Sequence, residues 1–368
     1  MEWLAWIAAA TVAVRLAVAF VNAVSHPYPG RMRRRNVVAP RTYSISVLIP
    51  ARDEAENIGA LLTDLAASDD GICEIIVYDD QSSDGTADVV RRFAMKDSRI
   101  RTIAGGDIPA GWLGKNNACH RLARAARGDV LLFLDADVRV APGAAAETAA
   151  YLRDNGLSLL SLFPQQLMPT VGTRLAVPLM NWILLGLLPL PAVRLSRHPS
   201  LSAANGQFMM FDAGAYRAML PHAVHRMAAA EDIAIARDFK RAGLPTAVLL
   251  GDRSVQCTMY RTLREAVNGF SKNIFQFFGG SGTVCLLFVA ITTAAPFLAL
   301  AGGPAPGIAW AACAVLLRVF VSAASRQSVA WNILLMIPQQ FILWKITITA
   351  FVRRHRRDLR WKGRNVCC

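Results

Sequence analysis

Val130-Leu131-Leu132-Phe133-Leu134-Asp135-Ala136-Asp137 is the stretch on which the fold turns. Five consecutive apolar residues read as a buried strand, and two acids close it. In an extended segment residues i and i+2 point the same way, so the carboxylates of Asp135 and Asp137 are expected side by side. No Lys or Arg stands between them. A divalent cation removes their repulsion, and hard oxygen donors suit Mg²⁺ or Mn²⁺.

Two earlier stretches repeat the design. Ser46-Val47-Leu48-Ile49-Pro50 is a short apolar run ended by proline, followed by a polar loop from Ala51 to Glu56. Ile58, Leu61, Leu62 and Leu65 then recur at helical spacing. Glu74-Ile75-Ile76-Val77-Tyr78 is the next strand, ended by Asp79-Asp80, with a turn to Thr86 and a helix from about Ala87. Strand-helix-strand-helix order predicts an α/β domain with parallel pairing. Ligands of such sheets sit beyond the carboxyl ends of the strands, where Pro50, Asp53, Glu54, Asp79 and Asp80 fall.

The rest of the chain is more apolar than a soluble domain. Of 368 residues, 54% are hydrophobic and 18% charged, against about 25% charged in an ordinary domain. That excludes a disordered chain, and 7 Cys spread over this length exclude a disulfide miniprotein. The polar, irregular centre argues against an all-membrane transporter. The formal net charge is +14, and two short segments hold eleven of those charges. One is Arg31, Arg33, Arg34, Arg35 and Arg41; the other runs from Arg353 to Arg364. Both abut apolar stretches of membrane length, so they read as juxtamembrane arginine facing anionic lipid, and nucleic acid is not expected as a partner.

Residues 1–30 are expected to hold an uncleaved transmembrane anchor with its N-terminus outside: no basic region precedes the apolar run. Residues 31–44 are a basic linker, 45–280 the globular domain, 281–352 a C-terminal set of transmembrane or interfacial helices and 353–368 a basic tail. Apolar stretches at 283–302 and 307–325 are joined by a Gly-Pro turn, and a third covers 329–351. Three full crossings would put the basic tail outside, so one stretch is expected to be interfacial or re-entrant. The apolar insertion at 175–195 is expected to be an interfacial helix pair or a buried element, because a crossing there would part Asp135 from Asp232.

These residues resemble family 2 glycosyltransferases of the GT-A fold. Ser46 to Pro50 with Glu54, Val77-Tyr78-Asp79-Asp80-Gln81-Ser82-Ser83-Asp84-Gly85-Thr86 and Leu134-Asp135-Ala136-Asp137 carry the resemblance. Gly111-Trp112-Leu113-Gly114-Lys115-Asn116-Asn117, Ala203-Ala204-Asn205-Gly206-Gln207-Phe208, Glu231-Asp232 and Trp361-Lys362-Gly363-Arg364 narrow it. They are similar to the membrane branch with carotenoid (diaponeurosporenoate) and hopanoid-associated glycosyltransferases, and more distantly to ceramide glucosyltransferase. The fold implied is a mixed, mostly parallel sheet with helices on both faces, plus membrane helices.

The resemblance implies roles. Asp80 would contact the uracil of a UDP-sugar, and Pro50, Glu54 and Asp79 would line the nucleotide. Asp135 and Asp137 would hold Mg²⁺ or Mn²⁺ on the donor diphosphate. Asp232, the second acid of a pair opening a helix, would be the general base of an inverting transfer, beside Glu231. Lys115, on a glycine-flanked loop before a helix, would meet phosphate or a sugar hydroxyl. Asn205, Gly206 and Gln207 would bond sugar or acceptor, or form a tight turn. Processive relatives carry Gln-x-x-Arg-Trp before the final spans; here the stretch reads Met259-Tyr260-Arg261-Thr262-Leu263-Arg264, then Ser271-Lys272-Asn273. Arg261, Arg264 or Lys272 would neutralise the diphosphate instead, and a single transfer is expected in place of polymer synthesis. The expected acceptor is a membrane lipid at the cytoplasmic face of the cell membrane, with a polyprenyl phosphate as the alternative and a non-catalytic scaffold as the remoter one. Cys73, Cys119, Cys257, Cys285 and Cys313 read as buried thiols.

Overall fold

The computed structural model describes residues 2–25, 43–68 and 71–356, and the backbone alone at 360–361 and 364–365. The arginines from Arg31 to Arg41, Lys362-Gly363 and Cys367-Cys368 lie outside the described residues.

Helix α1 (Glu2–Ser25) precedes the domain. Then follow β1 (Ile45–Ala51), α2 (Ile58–Ala66), β2 (Ile72–Asp79), α3 (Thr86–Ala94), β3 (Ile100–Ala104), α4 (Gly114–Ala125) and β4 (Val130–Leu134). Next come β5 (Val138–Val140), α5 (Ala144–Asp154), β6 (Leu159–Phe163), β7 (Gln165–Gln166), α6 (Val171–Ala176), α7 (Pro178–Leu187) and α8 (Leu190–Leu195). The domain closes with β8 (Phe208–Asp212), α9 (Ala213–Met219), α10 (Pro221–Val224), α11 (Glu231–Arg241), β9 (Thr246–Leu250), β10 (Val255–Cys257) and α12 (Leu263–Asn273). Four helices follow, α13 (Gly282–Ala301), α14 (Pro304–Ala324), α15 (Val329–Leu334) and α16 (Met336–Arg356), and then a short antiparallel pair, β11 (Arg360–Trp361) and β12 (Arg364–Asn365).

Seven strands form one sheet in the order β3-β2-β1-β4-β8-β6-β9. β1 pairs in parallel with β2 and β4, while β8 runs antiparallel to both β4 and β6. Every residue of β4 is buried, as its unbroken apolar run predicts. Chain order reverses between β1 and β4, and a groove opens there beyond the carboxyl ends. β5, β10 and β7 form a small second sheet.

Helices α1, α13 and α14 are long and apolar enough to cross a membrane. α16 is not among them; its Gln340 and Trp344 bond Thr293 of α13 at 2.7 and 2.9 Å. The chain turns between α13 and α14 at Gly302-Gly303, at the start of the expected Gly302-to-Gly307 turn, because Pro304 already starts a helix. Residues 175–195 form helices packed inside the protein: Leu179, Trp182, Ile183 and Leu185 are buried. Trp182 packs against two buried arginines, its ring centroid 3.9 Å from Arg15 Cζ and 4.7 Å from Arg318 Cζ. Arg15 also donates to Trp182 O at 3.0 Å, and Arg318 to Gln339 Oε1 at 2.7 Å. The thiols are less uniform than expected. Cys73 is exposed, because β2 alternates at its start and turns that side chain outward, and Cys313 is half-buried.

Candidate active site

Two loops at the ends of β1 and β2 are laced together. Asp53 Oδ1 accepts from Ser83 N at 2.8 Å, Asp53 N donates to Ser82 Oγ at 3.0 Å, and Glu54 N donates to Thr86 Oγ1 at 2.9 Å. Asp53 and Gln81 adopt left-handed backbone, φ 50 and 57, uncommon for non-glycine residues and a recurrent mark of functional loops. Asp79 Oδ1 accepts from Ser82 N at 3.1 Å, and Asp80 N donates to Ala51 O at 2.8 Å. Pro50, Glu54, Asp79 and Asp80 therefore sit on one rim, with Asp80 buried.

The Asp135-Ala136-Asp137 segment departs from expectation in two ways. It is a turn, not an extended strand, closed by Val138 N on Asp135 O at 3.2 Å so that β5 can leave the main sheet. A cation also stands beside it: Lys115 Nζ lies 2.9 Å from Asp135 Oδ1. Lys115 is in the first turn of α4, not on the preceding loop. It also reaches Glu231 Oε1 at 3.5 Å. Burial works against its charge, but Asp135 and Glu231 outweigh that and hold it well above the ordinary lysine value.

Asp137 has no such counterion. Burial, then the charges of Asp135 and Glu54, push its carboxyl up to about 7, and its Oδ1 is enclosed without a hydrogen-bond partner. A buried carboxylate oxygen left open beside a second acid is what a hard divalent cation satisfies, so the residues present fit Mg²⁺ or Mn²⁺. Among the described residues no three His, Cys, Asp or Glu side chains form a cage. Such an ion would take its other ligands from phosphate or water, as Mg²⁺ commonly does.

Glu231 and Asp232 open α11. Burial raises both carboxyls, Glu231 to about 7. Asp232 Oδ1 accepts from Ile233 N at 2.8 Å and Oδ2 from Gly206 N at 3.0 Å. Gly206 is closely approached: a Cβ there would lie 3.2 Å from Lys115 Nζ and 3.5 Å from Glu231 Oε1. Residues 205–207 do form a tight turn before β8. Gln207 is buried in it and its amide is used internally. Nε2 donates to Cys257 Sγ at 2.9 Å and Oε1 accepts from Gln166 at 3.0 Å.

On the far side of Asp232 a cavity of about 140 Å³ opens between α7, α11 and α12. Asn205 and Asp232 line it together with Met180, Leu184, Tyr260 and Phe270. The basic residues expected here stay out. Arg261 is exposed and pairs with Glu56 at 2.7 Å. Lys272 is carried by the last turn of α12 toward α16, where it faces Arg353. The cavity wall and Ser161, whose hydroxyl accepts from Asn205 N at 2.8 Å, escaped the sequence reading. Dispersed aliphatic and aromatic residues on separate helices leave no linear signal, and a buried serine in a strand looks like filler.

Residues 46–181 match the family described as Glycosyl transferase family 2. Over that segment the chain is similar to family 2 glycosyltransferases. The 4,4'-diaponeurosporenoate glycosyltransferase of Staphylococcus haemolyticus is 28% identical over 236 residues, 63% of this chain and 61% of that protein. The matched segment thus spans about three-fifths of that relative's length. Its namesake from a bovine strain of Staphylococcus aureus is 32% identical over 123 residues, 33% of this chain and 32% of that protein. A mannosyltransferase from Pyrobaculum calidifontis, solved in complex with GDP-Man and Mn²⁺, superposes with a TM-score of 0.57 at 18% identity. It covers 96% of this chain and 99% of its own, and the likeness extends to the whole fold. The sheet and its helices are the GT-A arrangement.

Proposed function

We propose that this chain moves one sugar, with inversion, from a nucleotide diphosphate donor to a lipid acceptor at the cytoplasmic face of a membrane. The observation that carries the reading is the position of Asp232. It touches the acidic cluster through Gly206 and Lys115, and it borders an apolar cavity.

Pro50, Glu54, Asp79 and Asp80 would hold the nucleoside, with Asp80 on a uracil. Asp135 and Asp137 would hold Mg²⁺ or Mn²⁺, which when bound supplies positive charge to the departing diphosphate. Asn205 and the Gly206 backbone would bond the sugar between them. Asp232 would accept the acceptor's proton as its oxygen attacks the anomeric carbon. Its two backbone donors fix the carboxylate's direction. Lys115 bridges Asp135 and Glu231, and its positive charge opposes the burial that raises the Glu231 carboxyl. A lipid acceptor makes sense of the cavity beside membrane helices, since about 0.8 kcal/mol per buried CH₂ holds such a molecule in the bilayer. With α1 entering from outside and α13 and α14 passing out and back, the domain, α16 and the basic tail share the cytoplasmic side. That satisfies the positive-inside trend.

The test is a panel of nucleotide sugars offered to the purified chain with Mn²⁺, with Mg²⁺ and with EDTA. Metal-dependent UDP release from one sugar supports the reading; no binding of any nucleotide under any condition removes it.

A further inference from the structure

We propose that Arg15 of α1 and Arg318 of α14, packed on Trp182 of α7, form a binding site for the phosphate group of an anionic membrane lipid. The site is separate from the cavity beside Asp232 and does not rest on the sugar-transfer reading.

The two arginines carry charge without a partner. Arg15 is 8% exposed and Arg318 5%. α1 holds one acid, Glu2 at its far end, and α7, α8 and α13 to α16 hold none. Neither arginine forms an ion pair among the described residues. Each guanidinium offers several N–H donors, and one on each is bonded, to Trp182 O from Arg15 and to Gln339 Oε1 from Arg318. Arg15 Nε is enclosed with no hydrogen-bond partner. Phe288 of α13 adds a second ring, its centroid 5.0 Å from Arg15 Cζ. The α7 backbone makes room for the guanidinium at Gly186, where a Cβ would lie 3.1 Å from Arg15 Nη2. Aromatic faces attract a cation, but by less than two buried charges lose on leaving water. The pair also repels itself across one indole. A phosphate relieves both costs and takes up the unused donors, since arginine meets its oxygens with paired N–H bonds.

The level of the pair favours a lipid as the source. Arg15 and Arg318 share Trp182, and further along each helix Phe20 and Phe320 meet edge to face at 5.3 Å. α1 and α14 therefore run side by side in the same direction, with both arginines toward their C-terminal ends. Arg318 stands about 9 Å of helix from Ala324, and Arg15 about 15 Å from Ser25. Lipid phosphates lie at the ends of membrane helices, and basic pockets between such helices receive them. α7 parts this site from the cavity. Met180, Asn181 and Leu184 line the cavity, whereas Trp182 and Gly186 meet Arg15.

The experiment melts the full chain in nanodiscs of phosphatidylcholine, whose choline cancels the phosphate charge, and of phosphatidylcholine with about 30% phosphatidylglycerol. A third arm adds inorganic phosphate to the phosphatidylcholine discs. Wild type should melt about 4 °C or more higher with phosphatidylglycerol, and inorganic phosphate alone should give no such gain. Arg15→Met and Arg318→Met should each lose at least about half of the gain while melting within about 2 °C of wild type in phosphatidylcholine. Arg354→Gln, in the basic end of α16, should keep it. Should a methionine variant fail to assemble, Arg15→Lys and native mass spectrometry decide: the variant should keep part of the gain, and wild type should retain phosphatidylglycerol about tenfold over phosphatidylcholine. No gain in wild type, or an undiminished gain in both methionine variants, overturns the proposal. An equal loss of melting temperature in both lipids overturns it too and assigns the arginines to packing alone. A gain with inorganic phosphate that matches phosphatidylglycerol overturns the lipid as the source. None of these outcomes bears on the sugar-transfer reading.

Discussion

The Lys115 ammonium lies 2.9 Å from Asp135 Oδ1, joining the acid at the end of the central strand to the start of α11. Without it, Asp135 and Glu231 would face each other's charge unrelieved. Lys115→Met should therefore cost about 1–3 kcal/mol of stability, seen as a melting point lower by a few degrees in EDTA. Added Mn²⁺ should recover more of the melting temperature in the variant than it adds to the wild type, because the ion replaces a missing positive charge. Equal Mn²⁺ shifts in both proteins would contradict this account of the cluster.

Asp232→Asn keeps the size and the backbone hydrogen-bond acceptor at one oxygen but cannot take a proton. Transfer should fall about 10²–10⁴-fold at saturating donor and metal, with donor affinity little changed. Burial raises the Asp232 carboxyl above its ordinary value of 3.8. The ionised form is the active one, so the acid limb of the rate profile should lie above that value, with rate rising as pH rises through it. A pH profile of kcat that is flat down to pH 4 would be a failed prediction.

Much of the acidic rim was legible because β1, β2 and β4 are short apolar runs, each ended by proline or acid, and strand ends in a parallel sheet converge. The Asp135-to-Asp137 turn was misread because periodicity describes a strand, whereas Val138 must leave the main sheet to pair with β10. Lys115 was found as a glycine-flanked lysine, but its partners come from 20 and 116 residues away in sequence, on β4's end and α11. No local pattern reports that. The cavity was invisible for the same reason: α7, α11 and α12 each contribute a few residues from faces that read simply as helix packing.

Asn22 of α1 reaches across to the helix pair behind the cavity. Its Nδ2 donates to Leu185 O and Leu188 O, both at 2.9 Å, and its Oδ1 accepts from Leu190 N at 2.7 Å. α7 thus has one face on the cavity and another held by α1. Asn22→Leu orphans three buried backbone groups at about 1–3 kcal/mol each before relaxation. The expected effect is a raised KM for the lipid acceptor at nearly unchanged metal-dependent donor hydrolysis. If the two activities fall in step, the contact serves the whole fold and not the cavity.

His222 gives the domain a pH-sensitive core. Its Nδ1 is 2.7 Å from the Tyr216 hydroxyl, its ring lies 4.9 Å from that of Phe133, and it is buried. Burial, helped by the charge of Lys115, pushes its value down to about 3 from an ordinary 6.5. Between those two values the unfolded chain binds a proton that the folded one refuses, so acid favours unfolding. The contribution of neutral His222 is complete above about pH 6.5 and declines by up to about 1.4 kcal/mol per pH unit below it. Denaturant melts of wild type and His222→Gln at pH 7 and pH 5 measure this directly. The variant, which cannot protonate, should lose less stability on acidification than the wild type. Identical losses would mean that the acid sensitivity resides in other groups.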